Sequence, residues 1–106
     1  MSMINNTDIQ RVMINLTQSC TNYVHDMSMI QLEKLAICLL RCKTEISAQD
    51  MLEGLEDISF KQLRRKYLER LLNMNVISMT IPDKPKSKKQ KYIISQSGLN
   101  IIQTKA

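Results

Sequence analysis

Apolar residues recur at helical spacing from the start of the chain. Ile9, Val12, Met13, Leu16, Cys20, Tyr23, Val24 and Met27 fall on one stripe, which predicts a long amphipathic helix, broken around residues 19–22. Thr7-Asp8-Ile9-Gln10 reads as its capping box. A second helix is expected over residues 29–42, with Ile30, Leu32, Leu35, Ala36, Leu39 and Leu40 on its apolar side. Lys43-Thr44-Glu45-Ile46 reads as a turn and a short extended piece. Ser47-Ala48-Gln49-Asp50 opens a short helix carrying Met51, Leu52 and Leu55. Gly54 is placed to end it in the left-handed conformation that glycine tolerates. Ser59-Phe60-Lys61-Gln62 opens a stronger helix to about Asn73, with Phe60, Leu63, Tyr67, Leu68, Leu71 and Leu72 facing inward.

The period then changes. Val76-Ile77-Ser78-Met79-Thr80-Ile81 is rich in β-branched residues and reads as a strand stopped by Pro82. A polar loop over 82–91 leads to a returning strand, Tyr92-Ile93-Ile94. Gln96-Ser97-Gly98 turns into a last short helix over 99–103. The fold class expected is mainly α with a small β-hairpin (α+β). More narrowly, it is a winged helix-turn-helix over 28–106, preceded by an extra amphipathic helix in residues 1–27.

Composition narrows the function. One domain fits 106 residues. With one Phe, three Tyr and no Trp, the core must rest on aliphatic residues and Met. No apolar run suits a membrane span, and no signal peptide is evident, so a cytoplasmic protein is expected. Three cysteines without CxxC spacing argue against a disulfide framework and a zinc site; Cys38 and Cys42, four apart, read as small apolar residues of one helix. His25 is the sole histidine and has no partner carboxylate or nucleophile in view. No catalytic residue, metal, cofactor or small-molecule substrate is therefore expected.

Charge is more informative. Residues 1–58 carry four basic against eight acidic residues, net −4, whereas residues 59–106 carry eleven against two, net +9. Such asymmetry points to a polyanion-binding surface in the C-terminal half. The second helix of a helix-turn-helix enters the major groove of DNA, so Ser59, Lys61, Gln62, Arg65 and Lys66 are the reading candidates. Gln can bond adenine through both ends of its amide, and Arg or Lys can bond guanine or phosphate. Glu69 on the same side opposes this unless it accepts from a cytosine amine. Arg64 points toward the apolar face and is expected to pair with Glu53, Glu56 or Asp57. Lys84, Lys86, Lys88, Lys89 and Lys91 crowd the loop, where flexible point charges suit phosphates rather than base edges.

The run from Arg64 through Met79-Thr80-Ile81-Pro82-Asp83-Lys84-Pro85, followed by Ser87, Gln90-Lys91-Tyr92 and Ser97-Gly98, resembles the C-terminal winged-helix domain of bacterial proteins labelled helicase-related transcriptional regulators. It is also similar to the tail of some Fic-domain proteins. The resemblance covers about residues 45–103 and implies a winged-helix fold with a DNA or regulatory partner. The upstream domain usual in that family, a phosphate-cradling glycine loop and a Fic catalytic motif have no counterpart here, so no enzymatic activity carries over.

The leading expectation is a transcriptional regulator that binds double-stranded DNA. Its rival is a protein-interaction winged helix that regulates a partner domain. The stripe Ile9, Val12, Met13, Leu16 and Cys20 adds a question of assembly. A helix of about 18 residues spans roughly 27 Å, and an exposed apolar stripe of that length needs cover. Two copies could pair through it as a homodimer on an inverted-repeat site, or the helix could fold back on its own domain.

Overall fold

In the computed structural model, which describes residues 4–55 and 57–105, the first helix, α1, runs Asn6–Ser19. Its cap lies two residues before the expected Thr7: the Asn5 side-chain oxygen accepts the Asp8 amide at 2.8 Å, as an Asn N-cap does. The break falls at Cys20, and a single turn, α2 (Thr21–Val24), follows. Ser28 starts α3 (Met29–Arg41) through a full capping box with Gln31. Cys42 then passes the chain to an isolated antiparallel bridge between Ile46 and Tyr92. Ser47 caps α4 (Ala48–Glu53).

Gly54 ends α4 at φ −91°, not in the left-handed region expected of it. The left-handed residues are Asp57 (φ 68°) and Asn75 (φ 61°), residue types that tolerate this conformation through local hydrogen bonding. They bracket the next helix, α5, which spans 60–73: an α-helical start, Phe60–Gln62, a π-helical stretch, Leu63–Leu68, and an α-helical end, Glu69–Asn73. Asn75 turns the chain into β1 (Ile77–Met79). This strand pairs antiparallel with β2 (Tyr92–Ile94), with Ile77 opposite Ile94 and Met79 opposite Tyr92. The last helix, α6 (Gln96–Gln103), starts three residues earlier than the pattern suggested, because Ser95 caps it through the Gly98 amide. The chain is thus mainly α with a two-stranded hairpin.

One cluster of aliphatic residues unites these elements. Leu16, Leu35, Leu39, Met51, Leu63, Leu68 and Leu71 are fully buried, and Cys38 and Cys42 pack among them. The stripe on α1 needs no second chain. The helix lies across α3 and α6, so Val12 and Leu16 are 0% exposed and Met13 4%, while Ile9 and Cys20 pack half-buried against the same core. The five residues assigned to a dimer interface are core residues of one chain, and α1 shares the core of the elements that follow it. Asn15, also buried, explains why the contact is specific. Its side-chain amide donates to the Ile101 carbonyl at 2.7 Å and the Thr104 carbonyl at 2.8 Å, satisfying acceptors that the end of α6 leaves open.

The other end of α6 is fixed by a close approach. A Cβ at Gly98 would sit 2.2 Å from the Val76 carbonyl oxygen and 2.6 Å from Ile94 Cγ1, so only glycine lets α6 lie this close to the hairpin. Gly98→Ala should therefore destabilise the fold by about 1–3 kcal/mol, read as a lowered thermal midpoint by circular dichroism. An unchanged midpoint would mean that α6 is free to move off the hairpin. In the same assay Leu16→Ala should cost about 2–5 kcal/mol; a cost near zero would show that α1 does not depend on this packing.

Candidate nucleic-acid interface

The N-terminal half of α5 is held by its cap. The Ser59 hydroxyl oxygen accepts the Gln62 amide at 3.1 Å, and the Gln62 side-chain oxygen accepts the Ser59 amide at 2.9 Å. The Gln62 side-chain oxygen, expected to meet adenine, is here engaged with the Ser59 amide, with a second lone pair left over. Ser59 and Gln62 shape the helix start, whose remaining free amides favour an anion.

The π-helical stretch follows at once, with the Glu69 amide donating to the Arg64 carbonyl five residues back. Each such turn takes up about one more residue than an α turn. Phe60, expected inside, is 42% exposed at the first position of the helix, ahead of the π-helical stretch, while Leu63, Tyr67, Leu68 and Leu71 are buried. Lys61, Arg65 and Lys66 are exposed. Arg64 is half-buried, and its charge acts on the Tyr92 hydroxyl, opposing the rise in pKa that burial causes there. Of the three acids proposed for it, Glu56 lies outside the described residues.

The C-terminal half of α5 has a different character. Arg70 donates to both carboxylate oxygens of Asp26, at 3.0 and 3.4 Å, and to the Tyr23 carbonyl. Its hydrogen bond to the Asp26 carboxylate holds that carboxyl below the usual range. A shallow cleft between α2 and α5 also receives His25, Arg65, Glu69 and Asn73. Two acids, Asp26 and Glu69, thus flank this half of the helix, and the cations available to a polyanion lie toward its start.

The loop between β1 and β2 is organised by Gln90, which is 5% exposed. Its side-chain oxygen accepts the Ile81 amide at 2.9 Å, and its side-chain nitrogen donates to the carbonyls of Ile81 and Lys84 at 2.5 and 3.0 Å. Backbone turns from Lys84 to Ile81, Ser87 to Lys84 and Gln90 to Ser87 complete the loop. Lys84, Lys86, Lys88, Lys89 and Lys91 project from this frame, exposed or, around Ser87, next to a half-buried turn. Lys91 reaches an acid, Glu45, at 3.9 Å, a separation worth little at a surface.

Elsewhere the chemistry is quiet. Burial pushes the Cys42 thiol up to about 12 and raises Cys38 further, so neither supplies the thiolate that nucleophilic or ligand chemistry needs. His25 is exposed, with Nδ1 3.3 Å from the Thr21 carbonyl oxygen. Among the described residues no helix is long and apolar enough to cross a membrane, and no group of three His, Cys, Asp or Glu is placed to hold a metal.

The architecture defines the class: a small helical domain closed by a hairpin, with basic residues on the helix before the hairpin and on the hairpin's tip. A family model, filamentation induced by cAMP protein Fic-like, C-terminal domain, matches residues 31–95. The chain belongs to this Fic-like C-terminal domain family. The match takes in α3, α4, α5 and the hairpin and leaves out α1 and α6. No curated protein and no solved structure matches the chain.

Two side chains whose roles emerge only in the structure can be tested directly. Gln90→Ala removes three hydrogen bonds to partly buried groups, at a cost of about 1–3 kcal/mol for each polar group left without a partner; the Ile81 amide should then exchange with solvent much faster. Unaltered protection at Ile81 would mean that the backbone turns hold the loop unaided. Arg70→Gln should let Asp26 titrate closer to 3.8, its ordinary value, as followed by carboxyl NMR. In the native chain the stabilisation from this pair is complete above the ordinary carboxylate pKa and is lost as pH falls through the depressed one. An Asp26 titration identical in both proteins would refute the coupling.

Proposed function

We propose that the chain is a non-catalytic, DNA-binding module of winged-helix type that acts as a regulator. In this reading the start of α5 enters the major groove and the lysine-rich loop grips phosphates. The observation that carries the reading is the placement of exposed cations. Lys61, Arg65 and Lys66 on α5 and five lysines on the following hairpin loop face solvent, in a half of the chain with net charge +9. The order helix, bridge, short helix, longer helix and hairpin supports the reading as a winged helix-turn-helix, whose second helix would enter the major groove.

The groups divide by chemistry. Lysines on the loop neutralise phosphates and release counterions, which gives affinity that depends on salt but little on sequence. Arg65 has the planar fork that matches a guanine edge, and it stands on the exposed side of the helix. Gln62 contributes through the cap rather than as a reader. Asp26 and Glu69 disfavour phosphate near the C-terminal half of α5, so the contact is confined to its first two turns.

The test is a set of duplex titrations by fluorescence anisotropy at several salt concentrations. Changing Lys84, Lys86 and Lys88 together to Ala should weaken all duplexes alike and flatten the salt dependence by about one unit of slope for each phosphate no longer neutralised. Arg65→Ala should cost about 1–3 kcal/mol on a preferred site and less on random duplex. Unchanged affinity and slope in the triple variant would overturn the proposal.

A further inference from the structure

Phe60 differs from the other apolar residues of α5. Leu63, Tyr67, Leu68 and Leu71 are buried, whereas this ring is 42% exposed at the first position of the helix. Among the described residues it is the one exposed large apolar side chain on α5 or the hairpin; Ile14, Tyr23, Met29 and Ile30 lie on α1, α2 and α3. Fraying does not account for the exposure, since the reciprocal capping box of Ser59 and Gln62 closes around the same turn.

Helical side chains tilt toward the N-terminus, so a ring at the first position leans past the start of α5. Lys61 follows it directly, and one turn later Arg65 continues the exposed row that Lys61 begins. The ring therefore stands beside exposed cations, at the end of the helix that the DNA reading brings to the base edges. Arginine and lysine suit phosphates and the acceptors of guanine. Neither has anything to offer the apolar group on the floor of the major groove, the C5-methyl of thymine, which a Phe ring can meet.

We propose that Phe60 packs on a thymine methyl when α5 enters the major groove, so that the preferred site carries a thymine close to the guanine read by Arg65. This inference rests on the DNA reading and adds to it a residue that discriminates between bases through apolar contact rather than charge.

The test replaces thymine by deoxyuridine, which keeps the base pair and removes only the methyl. The full chain first selects its preferred site from a pool of random duplexes. Affinities are then read by fluorescence anisotropy with deoxyuridine at each thymine in turn. Substitution at one position should weaken binding about fourfold, the effect of one methyl no longer buried. In Phe60→Ala the two duplexes should bind alike, and the salt dependence should match that of the native chain, since no phosphate contact is lost. Phe60→Leu should keep part of the preference. Each ratio is taken within one protein, so a change in stability cancels from it. Binding that is blind to every methyl, or a methyl preference that survives in Phe60→Ala, would overturn the proposal and leave the DNA reading standing. No binding to any duplex would remove both.

Discussion

The seating of α1 across α3 and α6 is the contact on which the rest of the molecule depends. Full burial of side chains such as Val12 and Leu16 contributes about 1.5–3 kcal/mol each, which would hold the helix down in several orientations. Asn15 selects one, because its amide protons meet the Ile101 and Thr104 carbonyls and a buried polar group without partners is costly. The constraint then passes along the chain. With its C-terminal end held by Asn15, α6 presses Gly98 onto Val76 and Ile94; this seats the hairpin whose tip carries the lysines. On the other side α1 backs α3, which packs against α5. Both basic elements are therefore positioned, at one or two removes, by a helix that bears none of the proposed contacts.

The electrostatic design of α5 follows from its neighbours more than from its own sequence. Its first turns are closed by the Ser59–Gln62 box and carry Lys61, Arg65 and Lys66 outward; its last turns are tied by Arg70 to Asp26 and accompanied by Glu69. The π-helical turn between these halves sets how the exposed charges are phased against the buried Leu63, Tyr67, Leu68 and Leu71. The loop divides its tasks in a similar way. One buried glutamine fixes the backbone, and the lysine side chains point outward from that frame.

Much of this was legible in the chain, and what was missed has physical reasons. Period 3.6 against period 2 separated the helices from the hairpin, and the Ser47 and Ser59 caps were readable because they depend only on neighbours three residues away. Asn5 outcompeted Thr7 as the first cap, a choice between two competent residues that local pattern does not resolve. The stripe on α1 showed that a partner surface was required but not which one, since local pattern does not choose between the neighbouring α3, a second copy and α6 at the other end of the chain. Asn15 was invisible as a core residue because its acceptors are 86 and 89 positions on. Phe60 was misassigned because it stands at the first position of α5, where helical spacing alone does not show that the buried stripe begins only at Leu63. Gln90 was carried by the family resemblance, yet its role emerges only when the loop has folded around it.

Whether the start of α5 and the hairpin tip together form a polyanion surface is decided most directly by a residue-by-residue map. Backbone amide spectra of the chain should be recorded as a short DNA duplex is added. Shifts should cluster at Lys61, Arg65 and Lys66 and across Lys84 to Lys91, fade with added salt, and leave Val12, Leu16 and the Met29–Ile30 turn unmoved. Shifts centred on α1 and α2, or a spectrum unaltered by excess duplex at low salt, would contradict such a surface.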